Sequence, residues 1–258
     1  AEAFPDITPH ADYESVTLEM LLAHVGGTWS SLGEHPDVWG ELWESGDVVE
    51  QRAWFAEQVL AEGPEVTPGT QYLYSNTGYM LVGAAMEAVT GESWEALMQV
   101  HLLDPLEMTS CGFGAPDPDG NLSHPWGHSS GAPVDGSSLY ADNPRALGPA
   151  GTVHCSMTDW GKFASAHLAG ARGESSYLGE DSFTRMHTPV LSDYALGWSV
   201  AVRSWAGETP ALTHTGTNSM FYSNIWLAPD INTAFLTATN QGDSSSALDE
   251  TIGTLIGL

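Results

Sequence analysis

The chain predicts an α+β protein built around an antiparallel sheet. Three observations support this. Apolar residues recur at helical spacing through the first two thirds of the sequence. Runs rich in β-branched and aromatic residues are confined to the last third, before a closing helical pattern. Apolar residues make up 42% of the 258 residues, enough for a core. Helices first, then strands, then a helix is the order of an α+β chain rather than an alternating parallel one.

The elements follow in order. Thr17 reads as the N-cap of a helix over residues 18–25, with Met20, Leu21 and Leu22 as core positions. Gly26-Gly27 ends it. Asp47 caps an amphipathic helix over residues 48–61 that buries Trp54, Phe55, Val59 and Leu60, and Gly63 and Pro64 stop it. Pro68-Gly69 is a turn. From 76 to 89 the spacing of Leu81, Val82, Ala85, Met86 and Val89 is helical, and Gly91 closes the helix. Ser93 caps another over residues 94–103, ahead of Pro105. Residues 112–150 are rich in Gly, Pro, Asp, Asn and Ser. A loop region that long is usually functional, so it is expected to border the active site. Ser156 or Thr158 opens a helix through Leu168, and residues 181–187 are helical. Residues 196–203, 220–227 and 233–239 read as three strands, with a turn at Pro229-Asp230. Residues 246–258 form the last helix. The chain thus divides into a mostly helical and loop region, 1–145, and a helix and antiparallel-sheet region, 146–258, intertwined as one catalytic-type domain. Trp54, Trp94, Trp160, Trp198 and Trp226 lie in periodic segments and are expected in the core.

Charge excludes whole classes of function. Acidic residues outnumber Lys and Arg 33 to 6, for a net charge of −27. Nucleic acid is not a partner of such a surface, because phosphate contacts need Lys and Arg. Anionic membranes repel it for the same reason, and no apolar run reaches the length of a membrane span. Ala1-Glu2-Ala3-Phe4-Pro5 lacks the basic and apolar regions of a signal peptide. The expected location is secreted or periplasmic rather than cytoplasmic, and a saline habitat is one of two readings of the acidity. Cys111 and Cys155 do not make a zinc site. They either pair, closing a loop worth roughly 4 kcal/mol in the chain-entropy model, or remain two buried thiols.

Two short motifs carry chemistry. In Tyr74-Ser75-Asn76, an extended backbone would send the phenol and the carboxamide to one side. A phenolate can take a nucleophile's proton and pass it to a leaving group, and an amide can hold a substrate carbonyl. The bland alternative is a helix start with Asn76 as N-cap. In His214-Thr215-Gly216, followed by Thr217 and Asn218, an imidazole, a hydroxyl and a glycine on an edge strand suit an anion or a carbonyl. Its bland alternative is a strand-edge His with a turn glycine. Gly127-His128-Ser129-Ser130-Gly131 matches a nucleophile elbow, but the flanking Gly, Pro and Asp supply neither the strand before nor the helix after. His124 and His128 are four apart in a loop, and Asp117, Asp119 and Asn121 start a calcium-like loop whose twelfth position is His128 rather than Glu. No metal and no cofactor is indicated.

These motifs resemble the second and third motifs of the serine β-lactamase, penicillin-binding protein and esterase family. Other segments resemble the family in the same order: Leu21-Leu22-Ala23-His24, Pro68-Gly69-Thr70, Thr90-Gly91, Leu102-Leu103-Asp104-Pro105-Leu106-Glu107-Met108, Gly148-Pro149-Ala150-Gly151-Thr152, Trp226-Leu227-Ala228-Pro229 and Thr239-Asn240. The resemblance implies a class C β-lactamase-like fold: an antiparallel sheet flanked by helices beside a helical region. It implies a small-molecule ester, amide or β-lactam as substrate. Tyr74 would be the catalytic tyrosine, Asn76 the substrate amide, and His214 the replacement for a lysine, with Thr215, Gly216 and Thr217 lining the oxyanion side. The family's first motif, Ser-x-x-Lys, has no counterpart here. The only lysine is Lys162, and three residues before it stands Asp159. The resemblance starts after the helix that bears that motif, so a truncated product or a shortened homologue is expected, with an exposed sheet edge that invites a homo-oligomer. The alternative is a non-catalytic module that keeps the cleft.

If the acidity is an adaptation to salt, adding salt screens the self-repulsion. The expected result is a melting temperature that rises between low and molar salt. A flat or falling melting temperature removes the halophilic reading.

Overall fold

The structure is a computed structural model and describes residues 2–257. It contains the helices α1 (Leu18–Leu22), α2 (Pro36–Glu41), α3 (Val48–Ala61), α4 (Asn76–Thr90), α5 (Trp94–Met98), α6 (Gly148–Gly151), α7 (Met157–Ala171), α8 (Glu180–His187) and α9 (Ser245–Ile256). Its strands are β1 (Gly112–Phe113), β2 (His128–Ser129), β3 (Ala132–Pro133), β4 (Val153–His154), β5 (Ser199–Ala201), β6 (Ala211–Thr217), β7 (Tyr222–Ala228) and β8 (Thr233–Thr239). They fall into two compact units that interleave along the chain. One holds Ala1–Gln99, Pro144–Ala150 and Pro189–Leu196; the other holds Val100–Asn143, Gly151–Thr188 and Gly197–Leu258. The units therefore follow a different cut from the sequence-order division at 145.

The first unit is helical, and side-chain caps set the starts of α1, α3, α4 and α5. Thr17 accepts from the Met20 amide at α1, and Asp47 accepts from Val49 and Glu50 at α3. Gly91, at φ 74°, closes α4 with the left-handed turn that glycine takes without strain. Phe55, Ala56 and Val59 of α3 pack with Met80, Leu81 and Ala84 of α4, around Trp29 and Leu42. Gly83 allows a close approach in this core: a β-carbon there would lie 2.3 Å from Cγ of Pro149. Through this core runs Arg52, completely buried. Its guanidinium donates to both carboxylates around it, reaching Glu87 at 2.6 Å and Glu95 at 2.7 Å. The Trp94 amide donates to Glu87 as well, so α3, α4 and α5 meet on one ion cluster. The helix expected over 94–103 is α5 continued by a π-helical turn, Gln99–Leu103.

The second unit is built on the sheet β5-β6-β7-β8, antiparallel throughout. Ala164 and Leu168 of α7 pack on Leu212, Ile225 and Leu227, so α7 covers one face. Asn224 points to the opposite face and donates to Asp249 of α9. The sequence reading misses one strand. Residues 211–217 lie outside the three expected strand runs, although their motif was expected on an edge strand; they form β6, in the interior of the sheet order. The strand expected over 196–203 shortens to β5. The long loop region contains short strands, turns, two 3-10 helices and the start of α6. It is tied down by Cys111 and Cys155, which are joined as a disulfide, so the free-thiol alternative does not hold. With a sequence separation of 44, the link constrains the unfolded chain by about 4 kcal/mol. Among the described residues no helix is long and apolar enough to cross a membrane.

Helices α7 and α8 meet at two histidines. Nδ1 of His167 lies 2.9 Å from Nε2 of His187, against Phe183 and Trp198. Burial drives His167 down to about 3, with His187 adding to it, and drives His187 down to about 4. Unfolded imidazoles titrate near 6.5, so below that pH the unfolded chain binds protons that the native pair refuses. Stability is then lost as pH falls from about 6.5 toward 4, at up to about 1.4 kcal/mol per pH unit for each ring. A denaturant titration from pH 7 to pH 5 is expected to show this loss, and His187→Gln to lessen it. An unchanged acid slope in that variant would assign the loss to other groups. For the ion cluster, Arg52→Met leaves Glu87 buried without its partner and is expected to cost about 3–5 kcal/mol in the urea midpoint.

Candidate active site

The Tyr-Ser-Asn segment lies in the first unit, where a loop gives way to α4. Ser75 is extended, at φ −149° and ψ 111°, and its hydroxyl caps the helix by accepting from the Gly78 amide at 3.1 Å. The same hydroxyl donates to the Trp29 carbonyl at 2.6 Å and lies 2.8 Å from the Thr28 hydroxyl, which is therefore the donor between the two. Ser75 is buried and fully engaged, so it is a fastener rather than a nucleophile. The motif is a helix start, as the bland reading has it, but with Ser75 rather than Asn76 as the N-cap. Because Ser75 does the capping, the side chains on either side of it, Tyr74 and Asn76, are left exposed. One buried residue thus stands between two exposed ones, the second of which opens the helix.

Tyr74 sits among rings. His24 lies 4.1 Å away between centroids, and His24 in turn contacts Tyr72, Tyr79 and Tyr194. Although 42% of Tyr74 is exposed, these neighbours desolvate the phenol and raise its pKa above that of an ordinary tyrosine. Tyr79 and Tyr194, hydrogen-bonded to each other, are raised mainly by burial as well. The phenol at Tyr74 is therefore protonated at neutral pH and would need a cation beside it to become a base.

His24 is the residue whose local role the sequence did not reveal. It appears there only inside Leu21-Leu22-Ala23-His24, with no chemical signal of its own. In the structure the Ser75 amide donates to its Nδ1 at 3.1 Å, and the Leu73 amide donates to its carbonyl at 2.8 Å.

The His-Thr-Gly segment lies in the second unit, in β6. His214 follows Leu212 by two and pairs with Ile225, which places its side chain on the α7 face of the sheet. It is half-buried, and burial lowers its pKa, with a hydrogen bond to the Thr215 backbone acting the other way. Thr215, Gly216 and Thr217 are exposed. Strand β5 registers only with Ala211–Thr213, so from Thr215 onward the described strand pairing of β6 is with β7 alone. The strand is interior by order, yet at its motif end it has the open side expected of an edge. The turn beyond is held by side chains. Thr217 donates to the Phe221 carbonyl, Asn218 accepts from the Met220 and Phe221 amides, and the Asn218 amide donates to buried Asp142 at 2.7 Å. Asp142 belongs to the long loop region, so that region does border this motif.

The rejected alternatives are placed as well. Ser129 ends β2, and Ser130-Gly131 turn the chain into β3 with φ 51° and 78°, which is a hairpin rather than an elbow. Nδ1 of His128 faces the Asn240 carbonyl, and Nδ1 of His124 faces the Ser123 hydroxyl. Asp117 accepts from the Leu122 amide, the Ser123 hydroxyl and the Trp126 indole, which makes it a loop tether. Lys162 donates to Asp159 at 2.6 Å and to the Glu107 carbonyl, so the only lysine has a structural post.

Known proteins are similar to this chain. Penicillin-binding protein 4 of Amycolatopsis lactamdurans is 25% identical over 255 residues, covering 94% of this chain and 64% of that protein. The chain thus spans less than two thirds of that relative's length. The octameric penicillin-binding protein homologue from Pyrococcus abyssi aligns with a TM-score of 0.70 at 20% identity, over 99% of this chain and 61% of that one. A D-stereospecific amidohydrolase from Streptomyces sp. aligns with a TM-score of 0.69 at 24% identity, over 96% of this chain and 76% of that one. The two structural likenesses show the fold. The beta-lactamase family model matches residues 5–256, and the chain belongs to the beta-lactamase family.

Proposed function

We propose that this chain is the tyrosine- and histidine-bearing portion of a serine hydrolase that transfers acyl groups from amides, esters or β-lactams. The observation that carries the reading is the Tyr74-Ser75-Asn76 geometry. Ser75 is fully engaged in capping α4, while Tyr74 and Asn76 are left exposed on either side of it. In this reading the attacking hydroxyl belongs to a Ser-x-x-Lys segment outside these 258 residues. Its lysine would draw the raised Tyr74 phenol toward the phenolate. Tyr74 would then take the serine proton and return it to the leaving group. Asn76 would hold the substrate's amide carbonyl. His214, neutral at pH 7, would donate a hydrogen bond to the substrate, and a backbone amide near Gly216 or Thr217 would face the developing oxyanion. The Streptomyces amidohydrolase supports a D-amino-acid amide as the first substrate to try. The Cys111–Cys155 disulfide supports an oxidising compartment, secreted or periplasmic. The octameric Pyrococcus relative supports assembly, for which the outer edge of β8 is a suitable surface.

One observation favours a second reading, a binding module without turnover: the only lysine of the sequence, Lys162, is engaged by Asp159 and the Glu107 carbonyl. A chromogenic β-lactam and a p-nitrophenyl ester separate the two. Mass spectrometry is expected to find no acyl adduct on the chain alone, and a serine-linked adduct once a Ser-x-x-Lys segment is fused ahead of it. Tyr74→Phe in that fusion is expected to lower turnover by about 10²–10⁴-fold. A folded fusion that binds the β-lactam without an adduct would establish the binding module. Unchanged turnover in Tyr74→Phe would move the site elsewhere.

A further inference from the structure

His24 is nearly fully buried and held in a left-handed backbone conformation, φ 56°, which few side chains adopt. Such a conformation persists only where its surroundings fix it, and here they do so from several sides. The His24 amide donates to the Leu21 carbonyl, its carbonyl accepts from the Leu73 amide, and its Nδ1 accepts from the Ser75 amide. A backbone amide can only donate, so Nδ1 carries no proton and the neutral ring holds its proton on Nε2. The ring face lies against Tyr74, 4.1 Å between centroids and tilted by 39°, and the same ring meets Tyr79 and Tyr194 at 5.1 and 4.8 Å.

One side chain thus touches both parts of the motif: the backbone at Ser75 and the phenol at Tyr74. We propose that His24 is the positioning residue of the Tyr-Ser-Asn segment, its Nδ1 fixing the backbone of Ser75 and its ring face fixing the Tyr74 phenol. The inference rests on the acyl-transfer reading for its purpose, because a proton-transfer group displaced by 1 Å loses about a hundredfold in rate. The geometry itself is tested without turnover.

Histidine-labelled protein, studied by nitrogen NMR, provides the first test on the unmodified chain. The expected spectrum shows His24 Nδ1 as a bare nitrogen, coupled through the hydrogen bond to the Ser75 amide. A protonated Nδ1, or no coupling, overturns the proposal even where a variant fails to fold. Two variants then separate the two contacts. His24→Asn keeps an acceptor near the place of Nδ1 and tolerates the left-handed backbone, but removes the ring. It is expected to leave Ser75 amide exchange slow and to move the Tyr74 titration down toward that of an ordinary phenol. His24→Phe keeps a ring and removes the acceptor. It is expected to speed Ser75 amide exchange about tenfold and to leave the Tyr74 titration in place. A residue that merely fills space would move neither readout, or both together in each variant, and either result overturns the assignment. An absent acyl adduct in the folded fusion with a Ser-x-x-Lys segment would sink the acyl-transfer reading while leaving these results standing, so the two failures are distinguishable.

Discussion

A single guanidinium holds the helical unit together. Arg52 reaches Glu87 of α4 and Glu95 of α5 from its place in α3, and it also donates to the Arg145 carbonyl. A buried cation of this kind is tolerable only when its donors meet acceptors and its charge meets opposite charge. In a chain with 6 basic residues against 33 acidic ones, committing one entirely to the interior is a strong constraint. Glu87 could not stay buried and ionised without it, while Glu95 is only part-buried. The constraint reaches the candidate site through α4, whose last turn is fixed at Glu87 and whose first turn carries Asn76. Gly148 belongs to the same arrangement: a β-carbon there would lie 3.2 Å from the Arg52 guanidinium and 3.0 Å from the Trp94 ring.

The end of α4 is fixed by different means. Ser75 satisfies the Gly78 amide, the Trp29 carbonyl and the Thr28 hydroxyl through one oxygen, while its own amide is taken by His24. Nothing in this set faces solvent, and all of it determines where Tyr74 and Asn76 emerge. The hydrogen bonds rigidify the segment, while the rings around Tyr74 set its protonation. Both effects arise from residues that have no direct part in the proposed proton transfer.

How much of this could be read in the sequence differs by element, for physical reasons. Helix α3 was legible to the residue because Asp47 is a strong cap and Gly63-Pro64 a strong stop. Strand β8 was legible because Thr233–Thr239 is dense in residues that suit a pleated, half-buried surface. Strand β6 was not. Its sequence Ala-Leu-Thr-His-Thr-Gly-Thr is apolar only at its start, because its far end is exposed and pairs on one side. A strand whose working end faces solvent does not show the apolar alternation by which strands are recognised. The N-cap at Ser75 was misassigned to Asn76 because both residue types cap well. The choice was made by Trp29 and Thr28, more than forty positions away. His24 was quoted only as part of a family likeness, since its two contacts join residues about fifty positions apart and no local pattern announces them.

The two motif halves share an electrostatic property that bears on the proposed chemistry. Tyr74 is raised by desolvation and so is neutral at pH 7, and His214 is lowered by burial and so is neutral as well. A neutral phenol can orient a substrate, but it makes a poor base, because removing its proton creates a charge in a desolvated place. Much of the chain's positive charge has structural partners. Arg52 is in its ion cluster, Lys162 is bound to Asp159, Arg172 is bound to Glu174 and Asn232, and Arg203 lies over Trp226. On the proposed reading, the lysine that arrives with the nucleophile therefore has two tasks. It assists its own serine, and it supplies the positive charge that turns Tyr74 from a donor into a base. Acyl transfer and the ionisation of Tyr74 would then switch on together, because the same segment brings the hydroxyl to be activated and the charge that activates its base.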